Sequence, residues 1–280
     1  MRSSKKHILS LSDIQKESAL ILKRVADICE NLNLRYVLAY GSLIGAVRHR
    51  GFIPWDDDID IAMPRPDYER LLEYLDSVKE ELLPLAVFNL KTSFKYHYGI
   101  TRICDTRYEI STKNERDCGM GLFIDIYPID GLGSNYDLAI ERLEKNKYYI
   151  DRICIAIKNN LNFKWQRSIK QKMKYITKWL YFHIIGSRPF FQRLNQEIQG
   201  FPDFDQSVYV ACAVWFFGSN EKAIWKRSYF NDLIKMQFGQ YEYYVPKEFD
   251  ELLRIIYGDY MQLPPIEERV PHHNYVAWEK

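Results

Sequence analysis

The sequence predicts an α/β protein of the α+β kind, with a mixed sheet core over the first 130 or so residues and a mostly helical remainder packed on it. Three observations predict this. Short β-prone runs alternate with amphipathic helical segments as far as Tyr127. From Tyr136 to Gln199 the pattern turns helical, basic and aromatic. The two most apolar stretches, residues 176–186 and 208–218, are only about half the ~20 residues that a membrane span needs. The division expected is residues 1–133 as the core and residues 134–280 as the helical region, its C-terminal motif returning to the core.

In chain order, Ser12 and Gln15 read as a capping box that opens a first helix. Ile14, Ile21, Val25, Ile28 and Leu32 give that helix an apolar stripe. Residues 35–40 (RYVLAY) form a β-prone run ending at Gly41-Ser42, a short helix over residues 43–49 follows, and Gly51 is its stop signal. A strand over residues 59–63 is closed by Pro64 and Pro66, and residues 67–82 form a second amphipathic helix. Strands are expected at 85–90, 98–104, 108–111 and 122–127. Beyond the helical stretch, residues 238–245 suit an aromatic hairpin. Pro246 opens a helix that Gly258 terminates, and a tail carries His272 and His273.

With 280 residues the chain can bury one sizeable core, and 47% hydrophobic with 27% charged residues is the balance of a folded protein. The net charge of +2 hides an asymmetry: between Lys145 and Arg193 there are twelve Lys/Arg and one acid, Asp151. Five cysteines, widely spaced and never in C-x-x-C, argue against a disulfide framework or a structural zinc site and suit a reducing compartment. Residues 1–12 hold no apolar run long enough for a signal peptide. The expectation is a cytoplasmic protein. The basic-aromatic stretch 164–193 could place it peripherally at the inner face of the membrane, or could simply pack its aromatic face inward. Near-neutral charge and the lack of a binding motif speak against a nucleic-acid partner.

The chemistry concentrates in residues 40–61 (YGSLIGAVRHRGFIPWDDDIDI). On a strand Asp58 and Asp60 point to one face while Ile59 and Ile61 face the core, and Asp57 points away. Two carboxylates about 7 Å apart along a strand can converge on metal and repel each other without it. Oxygen ligands select Mg²⁺ or Mn²⁺. Asp125 interrupts an apolar strand (GLFIDIY), where an unpaired carboxylate would be costly to bury. Gly41-Ser42, sixteen residues before Asp58, offers backbone N–H groups and a hydroxyl to a phosphate. A calcium loop fails, because its glycine would fall on Ile61 and its bidentate Glu on Asp67. An acidic solvated turn would explain Asp56 and Asp57 but not the alternation with Ile59 and Ile61.

Residues 41–49 and 51–60 resemble the signature of the LicD family, bacterial phosphocholine transferases related to the fukutin-type phospho-ribitol transferases. The resemblance continues in residues 121–131 (GLFIDIYPIDG) and 257–269 (YGDYMQLPPIEER). It implies a nucleotidyltransferase-like core with Asp58 and Asp60 as metal ligands, and Asp125 as third ligand or base. Asp56 matches a further family acid. It also implies a CDP-linked alcohol as donor, CDP-choline foremost, and as acceptor a sugar hydroxyl of a glycan of the lipopolysaccharide, teichoic acid or capsule kind, or of its lipid-linked precursor. Arg48 and Arg102 are candidates for the donor phosphates. The alternatives are NMP transfer from an NTP to a small acceptor, and a non-enzymatic glycan-binding module holding structural calcium.

Overall fold

The computed structural model describes residues 7–113, 116–159, 168–216, 218–271 and 275–280. His272, His273 and Trp165 lie outside the described residues. Helix α1 (Leu11–Asn31) opens two residues earlier than its sequence signal. Ser10 is the N-cap, its side chain accepting from the Asp13 N–H while the Asp13 carboxylate takes the Ser10 N–H. That leaves Gln15 free of capping, and its amide donates instead to the carbonyl of Asp56 at 2.8 Å. Ile14, Ile21, Leu22, Val25 and Cys29 are buried.

After α1 come β1 (Val37–Leu38), α2 (Tyr40–Ile44), β2 (Asp60–Pro64) and α3 (Arg65–Ser77). Then come β3 (Leu85–Phe88), β4 (Thr101–Asp105), β5 (Tyr108–Thr112) and the long β6 (Leu122–Gly133). The predicted short helix begins three residues early and continues as a wide π turn over Gly45–His49. Arg50, in the left-handed region at φ 54°, ends it in place of Gly51.

The sheet runs β1-β2-β6-β4-β3, with β2 and β6 parallel and the other neighbours antiparallel. Every residue of β2 and β4 is buried, as central strands covered on both faces require.

Among the described residues the helical expectation holds as far as Gln199, through α4 (Tyr136–Ile157), α5 (Ile169–Ile185) and α6 (Arg188–Gln199). Beyond it the chain returns to β structure. Strand β7 (Tyr209–Ala211) pairs with the C-terminal half of β6, and β8 (Trp225–Lys226), which follows the single turn α7 (Asn220–Ala223), pairs with β7. Strands β9 (Leu233–Phe238) and β10 (Tyr241–Pro246) form the hairpin, starting five residues earlier than predicted. Helix α8 (Phe249–Tyr257) ends at Gly258 with φ 73°, and β11 (Tyr275–Glu279) pairs with β5. The later half of the chain is therefore woven into the earlier one.

Candidate active site

Strand register builds the site. In the parallel pair Asp60 lies directly opposite Asp125, and across the antiparallel neighbour Asp125 lies opposite Arg102. Three charged side chains from three adjacent strands thus stand in one row. Asp58 joins from the segment before β2, and carboxylate oxygens of Asp58, Asp60 and Asp125 lie within 4.8 Å of one another. Asp56, Asp57 and Asp58 form a second such group.

Two details differ from the sequence argument. Residues 56–59 are not strand, so face alternation does not extend back to them. Asp57 accordingly does not face away: it is buried beside Asp56 and Asp58. Asp58 reaches Asp60 and Asp125 through the path of this loop. The loop is held from both sides, by Gln15 on the Asp56 carbonyl and by the Tyr275 hydroxyl, which donates to the Asp57 carbonyl at 2.9 Å.

Gly41 and Ser42 are each tied to one aspartate. A Cβ on Gly41 would stand 2.6 Å from Oδ2 of Asp56, so the glycine makes room for that carboxylate. The Ser42 hydroxyl accepts the N–H of Asp60 at 2.9 Å and fixes the start of β2. Both residues shape the acidic cluster.

Arg102 is engaged by Asp125. Its guanidinium grips Asp125, Nε to Oδ1 at 2.7 Å and a terminal nitrogen to Oδ2 at 3.3 Å, between the rings of Tyr98 and Phe123 at 3.9 and 4.0 Å. Burial works against its charge, but Asp125 overrides burial and holds its pKa well above the ordinary value. Arg48 lies elsewhere. It reaches the C-terminal segment, donating to the carbonyls of Tyr260 and Gln262. Burial and then the nearby Arg269 lower its pKa. Arg269 itself lies over Trp55, 5.4 Å from the ring centre. Neither Arg48 nor Arg269 forms an ion pair among the described residues.

Asp60 is the electrostatic centre. Burial first, then the charges of Asp58, Asp125 and Asp56, push its carboxyl well above its ordinary value, while a hydrogen bond from Tyr127 opposes them. Its Oδ1 is buried without a hydrogen-bond partner. Tyrosines surround it. Tyr40 packs edge-on against Tyr127 at 4.9 Å, and burial followed by the cluster's negative charge raises the phenols of Tyr127, Tyr257 and Tyr275.

These tyrosines, Asp57 and Arg269 escaped the sequence reading. Tyr127 was within reach, two residues beyond Asp125 on the same strand face. Tyr257, read as part of a helix stop, and Tyr275 come from the far end of the chain.

The oxygens present suit a hard divalent cation: three carboxylates converge, and one buried oxygen has no partner.

Comparison with known proteins agrees with this geometry. The LicD/FKTN/FKRP nucleotidyltransferase domain matches residues 33–131, the span from just before β1 into β6. The lipopolysaccharide cholinephosphotransferase LicD of Haemophilus influenzae is 29% identical over 266 residues, which cover 92% of this chain and 95% of that protein. Residues 33–131 therefore match the LicD-type domain, and nearly the whole chain is similar to a LicD transferase. An uncharacterised protein of Rickettsia typhi is 35% identical over 79 residues, 28% of this chain and 23% of its own length, and one from Rickettsia prowazekii matches over 79 residues as well. The LicD-family alignment with the Haemophilus protein extends well beyond the matched domain, into the strands and helix α8 contributed by the later half.

Proposed function

We propose that this chain transfers phosphocholine, or a closely related phospho-alcohol, from a CDP-linked donor to a sugar hydroxyl of a surface glycan such as lipopolysaccharide, with Mg²⁺ or Mn²⁺ bound by Asp58, Asp60 and Asp125. The observation that carries it is the convergence of those three carboxylates around a buried oxygen with no partner. The near full-length similarity to a cholinephosphotransferase supports the choice of group transferred.

When bound, the cation supplies Lewis acidity toward the transferring phosphoryl group and neutralises charge that builds as the nucleotide leaves. The protein's own residues do the rest. Arg102 orients Asp125 and occupies both its oxygens, so an acceptor proton would have to compete with a guanidinium there. That favours a ligand role for Asp125 over the role of base. Asp56, lodged against Gly41 at the edge of the cluster, is the remaining candidate for receiving that proton. Arg48 and Arg269, two cations without a carboxylate partner among the described residues, suit the donor's phosphates. The Ser42 hydroxyl keeps its proton for the same use while its oxygen accepts from Asp60.

The test is incubation with CDP-choline, CDP-ribitol or CDP-glycerol, Mg²⁺ and a lipopolysaccharide acceptor. CMP release that depends on acceptor is expected, fastest with CDP-choline. Pyrophosphate from an NTP, with no CMP from any CDP-alcohol, would reassign the chain to nucleotidyl transfer.

A further inference from the structure

Helix α5 combines two faces that an ordinary packed helix does not. At 3.6 residues per turn, Phe182, Tyr175, Trp179 and His183 fall on one side. Phe182 is buried against Phe190 with ring centres 5.4 Å apart. Trp179 stacks on His183 at 4.3 Å and donates to the Lys158 carbonyl. The aromatic face therefore turns inward. On the outer side Ile169, Met173, Leu180 and Ile184 share an arc of about 60°. They are aliphatic and exposed, Ile169 by 81%, Met173 by 56% and Ile184 by 85%. Four large apolar side chains aligned in water are a cost that a folded surface does not carry without a partner.

Charge names the partner. Lys170 and then Lys174 flank this stripe, while Lys178 lies further round beside Phe182, and neither flanking lysine forms an ion pair among the described residues. No aspartate or glutamate occurs between Arg152 and Gln196. At the C-terminal end of the helix Arg116 meets His183 at 3.0 Å, and Arg188 lies 4.0 Å over the ring of Phe94, itself 82% exposed. No helix among the described residues is long and apolar enough to cross a membrane.

We infer that the outer face of α5 docks the protein on an anionic lipid bilayer, the helix lying in the plane of the interface with Ile169, Met173, Leu180 and Ile184 among the acyl chains and Lys170 and Lys174 at the headgroups. An aliphatic stripe alone would fit another protein equally well; flanking lysines without acidic partners select a negatively charged surface. This reading stands apart from the transfer reaction, because every residue it uses lies outside the acidic site.

Flotation with vesicles of phosphatidylcholine alone, or with about one third phosphatidylglycerol, tests it. The wild-type chain is expected to float with the anionic vesicles, at least about tenfold more tightly than with neutral ones, and to lose that difference at high salt. Met173→Glu with Ile184→Glu should lower partitioning at least about tenfold. Exchanging Lys170 and Lys174 for Gln should lower it about fivefold per lysine. Both variants change exposed positions and should keep the wild-type melting temperature. Failure of the wild-type chain to bind anionic vesicles overturns the inference, as does unchanged binding by both variants. So does a dimer in sedimentation that the Glu variant dissociates while no vesicle binding is found, which would give the stripe to a second copy of the chain.

Discussion

Strand β6 carries two aspartates five residues apart, each gripped through both oxygens by an arginine, yet they serve different ends. Asp125 meets Arg102 at 2.7 and 3.3 Å; Asp130 meets Arg65 at 2.7 and 2.9 Å. An odd spacing puts the two on opposite faces of the strand. Asp130 faces the start of α3 and ties Arg65, the first residue after β2, to the point where β6 leaves β2 and takes up β7. Its charge is matched one for one. Asp125 has the same partner chemistry, but Asp58 and Asp60 stand beside it, so the group keeps negative charge after Arg102 is counted. A buried arginine–aspartate pair is therefore no mark of function by itself. The surplus of carboxylates around one of the pairs is.

The largest effect that separates the two faces is on activity. Asp60→Asn is expected to lower CMP release about a thousandfold, the scale of losing a principal charge-stabilising group. The melting temperature should not fall, because the change removes a buried carboxylate with a partnerless oxygen. Activity within tenfold of wild type would remove the cluster from the mechanism.

Second comes stability, where the pairs should resemble each other in kind and differ in size. Arg102→Met strands Asp125 among like charges and should cost about 3–5 kcal/mol in urea unfolding, with activity lost as well. Arg65→Met also leaves a buried aspartate, but Arg65 is 25% exposed where Arg102 is 5%, so water reaches that pair more readily. A cost of about 1–3 kcal/mol is expected there, with activity per folded molecule unchanged. Equal loss of activity in the two variants would erase the distinction between the faces.

How much of this was legible beforehand follows from the same strand. Local pattern was enough for Asp58, Asp60 and Asp125 as candidates, because acids interrupting apolar runs are costly enough to need a reason. It was not enough for what joins them. That Asp60 stands opposite Asp125 depends on β2 and β6 being parallel neighbours, and that Arg102 stands on the other side depends on the β4–β6 register. Both are facts of pairing between distant segments, so the sequence pattern offers Arg102 as a phosphate candidate without revealing its partner. Asp57 departs from the alternation for a local reason: it lies three residues before the strand begins. The first helix, the hairpin and the Gly258 stop were readable because capping and periodicity are short-range. In α5 the aromatic residues drew notice, while the aliphatic face that the fold leaves outside became visible only once the aromatic side was seen to be buried.

The smallest effect is a pH dependence, and its sign distinguishes a surplus of carboxylates from a balanced pair. In the folded protein Asp60 titrates well above 3.8, chiefly through burial and then through Asp58, Asp125 and Asp56. Between its ordinary value and that raised one, the folded state holds a proton that the unfolded chain has released. Stability from this group is thus fully present below the ordinary value and is lost as pH rises through the raised one, with a slope of at most about 1.4 kcal/mol per pH unit. Protein treated with EDTA should therefore melt at falling temperature as pH rises above about 4. The quantity to read is the difference between wild type and Asp60→Asn, since other groups titrate in both. Mg²⁺ at about one hundred times its Kd should return about 2.7 kcal/mol at neutral pH in the wild type and little in the variant. If the two proteins follow one curve with and without Mg²⁺, Asp60 carries no excess charge, and the two faces of β6 are electrostatically alike.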